Sequence, residues 1–121
     1  MTTQEIAKRY YELYLQSKRD EIQESLYSEH IINREPENLA RMGMRVITTG
    51  LEAVKAKDLA RAQMIETIHG ESCSEPLVAG NFFTVVLVRD ITLKGKPRRK
   101  LEEIAVFEVK DGKIIIEQFF Y

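Results

Sequence analysis

Leu101-Glu-Glu-Ile-Ala-Val-Phe-Glu-Val-Lys-Asp-Gly-Lys-Ile-Ile-Ile-Glu-Gln-Phe-Phe-Tyr121 is the stretch that decides how this chain folds. β-Branched and aromatic residues flank Lys110-Asp111-Gly112, which predicts two strands folded back on each other, at 100–109 and 113–121. Carboxylates at Glu103, Glu108 and Glu117 interrupt them, so the pairing register decides which acids face inward. A two-residue type I′ turn at Asp111-Gly112 sets Val109 opposite Ile114 and Val106 opposite Glu117. A three-residue loop with a bulge at Gly112 sets Ala105 opposite Glu117 and Glu103 opposite Phe119. The second register is preferred here. It gathers Glu103, Ala105, Phe107, Ile115, Glu117, Phe119 and Tyr121 on one face, an apolar surface carrying two carboxylates. That is the composition of a pocket wall, the bland alternative being two glutamates at a solvated rim.

Upstream, the pattern divides into helices followed by strands. Thr2 and Glu5 have capping-box spacing, and Ile6, Tyr10, Leu13 and Tyr14 then recur on one helical face, widened by Tyr11 and Leu15 to about Ser17. Asp20 with Gln23 suggests a second cap and a short helix through Leu26. Ile31-Ile32 reads as a brief strand ending before Pro36, since the residue before proline avoids the α region. Residues 36–49 fit either a helical turn or an irregular packed segment. Leu51 to Met64 consists of strong helix formers with a stripe at Leu51, Val54, Leu59 and Ala62. Strands follow near 66–78 and 82–92, with turns at Ala79-Gly80-Asn81 and Lys94-Gly95-Lys96-Pro97. Helices first and consecutive antiparallel strands afterwards predict an α+β domain over 1–121, with helices covering one sheet face. Val85, Leu87 and their neighbours are expected to leave an apolar outer sheet face that a second copy covers, predicting a homodimer.

Composition narrows the function. The 19 acids and 18 bases of the 121 residues nearly cancel, so nothing steers the chain to nucleic acid or an anionic membrane. The single cysteine, Cys73, excludes an internal disulfide and fits a reducing, cytoplasmic setting. No apolar run approaches the roughly 20 residues of a membrane span, and the first residues lack a signal-peptide pattern. Lys94, Lys96, Arg98, Arg99 and Lys100 lack interleaved aromatics and read as a solvated hairpin tip.

Four further groups are candidates for chemistry. Glu35, in Asn33-Arg34-Glu35-Pro36, can accept a proton if burial raises its pKa, whereas Arg34, Arg41 or Arg45 can instead hold it as an ion pair. His69 is a candidate hydrogen-bond donor in a pocket; neither it nor His30 belongs to a metal-ligand pattern, so no metal is expected. Cys73 lacks any local feature that would lower its thiol pKa. Tyr10, Tyr11 and Tyr14 carry phenols on apolar rings; such residues are usually core, but one hydroxyl can face a cavity between helix and sheet.

The order of elements, with Leu26-Tyr-Ser-Glu-His30, Thr49-Gly50-Leu-Glu-Ala-Val54 and the closing Phe107 to Tyr121, resembles the SnoaL-like branch of the nuclear transport factor 2-like superfamily. The resemblance spans essentially the whole chain. It implies a cone-shaped, cystatin-like fold of helices on a curved sheet, a pocket in the mouth, and pairing through the sheets. Relatives include ketosteroid isomerases, polyketide cyclases, dehydratases and non-catalytic binders. Glu35 falls where the isomerases keep a proton-shuttling aspartate, and Tyr10 or Tyr11 falls near their oxyanion-hole phenol. Ala105 takes the place of their protonated aspartate donor and can donate nothing. Two functions follow as expectations. One is cofactor-independent proton transfer on a small carbonyl compound, with Glu35 as base and Tyr10 and His69 stabilising the enolate. Tyr14, Glu103, Phe107, Glu117, Phe119 and Tyr121 would then contact the ligand. The other is a binding or dimerisation module. Convergence of Glu35, Glu103 and Glu117 on one cavity favours the first; salt-bridged or solvent-facing positions favour the second.

Overall fold

The computed structural model describes all residues from Met1 to Tyr121. Helix α1 (Thr3–Leu15) begins at the expected box: the Glu5 amide donates to Thr2 Oγ1 and the Thr2 amide to Glu5 Oε1. Reciprocal capping of this kind satisfies two amides that a helix start leaves free. Helix α2 (Arg19–Leu26) has Lys18 rather than Asp20 at its N-cap position and no side-chain cap; Gln23 donates instead to Asp58. Strand β1 (Tyr27–Arg34) is longer than expected, and the opaque segment resolves into a 3-10 helix (Glu37–Met42) and a short β2 (Ile47–Thr49). Helix α3 (Leu51–Gln63) precedes β3 (Ile65–Cys73), β4 (Leu77–Ala79), β5 (Phe82–Leu93), β6 (Arg99–Lys110) and β7 (Lys113–Phe120). The strand expected over 66–78 is thus two pieces broken around Pro76, tolerable because both lie at the sheet edge beside β5.

The sheet runs β2-β1-β7-β6-β5-β3, antiparallel except where β1 meets β7, and curves round α1. Ile6, Ala7, Tyr10, Leu13 and Tyr14 of α1 are buried against its concave side. Tyr10 packs on Phe107 at 4.7 Å between ring centroids, and Phe107 stacks on Phe83 at 4.6 Å. These offset and tilted contacts are the favoured aromatic geometries.

The β6–β7 hairpin matches neither register in full. Asp111 (φ 50°) and Gly112 (φ 75°) both adopt left-handed backbone, so the turn is the two-residue form, with Lys110 opposite Lys113 and Val109 opposite Ile114. The favoured three-residue loop is therefore incorrect. A register shift then falls between Val109–Ile114 and Glu108–Ile116, which leaves Ile115 as an extra residue in β7. Beyond it Phe107 faces Glu117 and Ala105 faces Phe119. Glu103, Ala105, Phe107, Glu117 and Phe119 share the inner face as read, with Ile114 buried there in place of Ile115.

The outer face was read in the wrong phase. Val85 and Leu87 are buried, and strand alternation turns Phe82 and Val86 outward instead. Val86, Ile104 and Phe120 lie side by side across β5, β6 and β7, each more than two-fifths exposed.

Candidate functional site

Between α1, α2, α3 and the concave sheet lies a cavity of about 130 Å³, close to the size of a hollow that accepts one benzene ring. Its acidic wall is built by β-strand alternation. Ile31, Asn33 and Glu35 at and just beyond the end of β1 point inward, and parallel pairing sets Asn33 beside Glu117. Both side chains are almost wholly buried. Tyr27 Oη donates to Glu117 Oε2 in a short contact, and Asn33 Nδ2 donates to Glu117 Oε1 at 2.9 Å. Asn33 Oδ1 accepts from Lys57 Nζ, which fixes which end of the amide meets Glu117.

The two carboxylates are tuned oppositely. Burial pushes the Glu117 carboxyl up to about 7; Asp58 adds to the rise, and the Tyr27 and Asn33 hydrogen bonds only partly offset it. Burial also pushes Glu35 upward, but there it loses. Lys57 (2.8 Å) and Arg61 (3.0 Å) both bind Glu35 Oε1, Tyr121 donates to Oε2 at 2.9 Å, and the carboxyl ends below its ordinary value. Glu103 has no ion-pair or hydrogen-bond partner in the protein and is raised by burial and by the Glu35 charge. Tyr10 carries the one hydroxyl of the inner wall that the protein leaves free. No sealed side-chain polar atom lacks a partner, so the Tyr10 oxygen must open onto the cavity. Burial, then the Glu117 charge, hold its pKa well above 10, which makes it a neutral donor.

Of the residues singled out from the sequence, Tyr10, Tyr14, Glu35, Glu103, Glu117 and Phe119 line the cavity. Phe107 does not; it is fully buried beneath Tyr10 as part of the core. Tyr121 lies outside the wall, half exposed, and reaches the site only through Glu35. His69 is on the exposed edge strand β3, bonded to Thr92 at 2.8 Å, and cannot stabilise anything in the cavity. Cys73 is unpaired and buried, which raises its thiol to about 11. No group of three or more His, Cys, Asp or Glu is placed to hold a metal ion, and no helix is long and apolar enough to cross a membrane.

Tyr27, Asn33, Lys57, Asp58 and Arg61 were not expected in the site. Their signal on α3 was present: Val54, Lys57, Asp58 and Arg61 follow the i, i+3, i+4, i+7 spacing of one helical face. The apolar stripe through Leu59 concealed it, and Leu59 is in fact largely exposed.

A SnoaL-like domain profile matches residues 1–121. The chain belongs to the SnoaL-like family. A Mesorhizobium loti structure, provisionally named a SnoaL-like polyketide cyclase and also a carbohydrate phosphatase, is 31% identical over 100% of both chains, with a TM-score of 0.91. A Catenulispora acidiphila protein of ketosteroid isomerase-like fold, solved with trimethylamine, is 18% identical over 99% of this chain and 87% of its own, with a TM-score of 0.72. TerC, co-crystallised with polyporic acid, is 14% identical over 98% of this chain and 90% of its own, with a TM-score of 0.76. No match was found among curated proteins. This SnoaL-like protein therefore has the cystatin-like fold that its sequence implied.

Proposed function

We propose that this SnoaL-like protein binds a small carbonyl compound and moves a proton on it without a cofactor. The observation that carries the reading is a buried carboxyl near neutrality, Glu117, sharing a cavity with the unpartnered Tyr10 hydroxyl. A general base works best when its pKa lies near the working pH. Ionised Glu117 takes the proton from the carbon next to the carbonyl, and the electron pair moves onto the oxygen. Tyr10 donates a hydrogen bond to that enolate oxygen. Glu117 then returns the proton to the same or a conjugated carbon.

The base is assigned to Glu117 rather than to Glu35, because Lys57 and Arg61 keep Glu35 too weakly basic. Glu35 serves as a fixed anion that holds Lys57, and through it Asn33, in place. Convergence of Glu35, Glu103 and Glu117 on one cavity supports catalysis; the ion pairs on Glu35 alone point the other way. The ligands of the Catenulispora protein and of TerC support small organic molecules as occupants of such a hollow.

The exposed Val86–Ile104–Phe120 row supports a homodimer through the outer sheet face, and the free, buried Cys73 suits a cytoplasmic setting. The test of function is proton–deuterium exchange at the α-carbon of small ketones, followed by NMR in D₂O. Exchange catalysed by the native chain and lost in Glu117→Gln is the expected result. Equal exchange in both proteins removes Glu117 from the chemistry. Binding without exchange leaves a non-catalytic ligand module.

A further inference from the structure

Tyr14, Arg19, Ala62, Ile65 and Arg89 line both the cavity and the open groove outside it, so they form its threshold. Three arginines reach the cavity wall, and two are spent: Arg61 on Glu35 and Arg89 on Glu71. Arg19 alone has no acidic partner. It is nevertheless held in place, since one Nη donates to Tyr14 Oη at 2.9 Å and the guanidinium lies 5.1 Å from the centre of that ring. A cation stacked on an aromatic face keeps its remaining N–H donors in a fixed fork that matches a carboxylate.

We infer that the ligand is a small oxo-monocarboxylate whose carboxylate pairs with Arg19 at the threshold while its carbonyl end reaches Tyr10 and Glu117. A phosphate dianion fits poorly, because Glu103, unpartnered, and Glu71 stand near the same path. A single negative charge spread over a planar group meets Arg19 with less of that repulsion. The cavity volume sets the rest of the molecule at about one six-membered ring. The carbonyl end of the inference rests on the proton-transfer reading; the carboxylate clamp rests on Arg19 alone.

The experiment titrates the nitrogen-15-labelled full chain with phenylpyruvate and with phenylacetone, in which a methyl group replaces the carboxylate. Phenylpyruvate is expected to bind about ten- to a hundredfold more tightly, the usual worth of a charge-assisted pair. Arg19→Gln reduces the preference to within about twofold, and Arg19→Lys keeps part of it, having the charge without the fork. Equal affinities in the native chain, a preference unchanged in Arg19→Gln, or no binding of either compound overturns the inference. An Arg19-dependent preference with no catalysed exchange keeps the clamp and defeats the proton-transfer reading. Catalysed exchange of both ketones with no preference does the reverse.

Discussion

Replacing Glu117 by glutamine removes the only group of the site whose pKa is pushed to about 7, and the effect on stability follows from that value. An ordinary glutamate titrates near 4.5, and at about 1.4 kcal/mol per pH unit the gap is worth roughly 3 kcal/mol. Between these two values the unfolded chain has released its proton while the folded chain still holds it. Stability from Glu117 is therefore fully present below pH 4.5 and is lost as pH rises through about 7. Glutamine carries no titrating proton, so Glu117→Gln lacks this slope. Its amide mimics the protonated acid, with one carbonyl acceptor and one donor end, so the pH-independent offset between the two proteins is small. Raised groups such as Glu103 and Asp58, and lowered Glu35, remain in both proteins and largely cancel in the comparison. Urea unfolding of the two chains from pH 4.5 to 8 should show the variant gaining roughly 3 kcal/mol on the native protein as pH rises. Parallel profiles refute the argument that burial holds a proton on Glu117.

Lys57→Met frees the Asn33 amide to turn its oxygen toward Glu117, so the Glu117 titration followed by carbon-13 NMR should move to still higher pH. Glu35→Gln leaves Lys57 and Arg61 without their shared anion and should cost about 1–3 kcal/mol in denaturant unfolding. Tyr10→Phe should slow α-carbon exchange while leaving unfolding nearly unchanged, since no hydrogen bond within the protein is lost. Ile104→Lys places a charge in the exposed apolar row and should convert a dimer to a monomer in analytical ultracentrifugation; an unchanged mass means the face is not the interface.

What the sequence made legible follows from periodicity. The α1 stripe at Ile6, Tyr10, Leu13 and Tyr14 and the cap at Thr2 were readable because each depends on neighbours within one turn. Glu103, Glu117 and Phe119 were placed on one inner face, although through an incorrect turn, since an error of one residue at Gly112 was undone by the extra residue at Ile115. The role of Asn33 depends on parallel pairing between β1 and β7, which no local pattern encodes. The phase of β5 failed because Phe82 to Val88 is apolar at nearly every position, leaving alternation no polar mark to count from. In the sequence Glu35 can be either a free base or an ion-paired anion. Only distances to Lys57 and Arg61 decide between them.

The kink at Ile115 makes the chemistry of the hollow depend on strand register as well as on side-chain identity. Were Ile115 instead paired with Glu108 in an unbroken ladder, everything downstream would turn by half a strand period, with Ile116, Gln118 and Phe120 inward and Glu117 and Phe119 outside. The interior would lose its buried carboxyl, and the proposed docking row would acquire an acid, without a single side chain being replaced. Among proteins built on this scaffold, whether the last strand bulges can therefore decide which side chains reach the hollow, with the sequence itself unchanged.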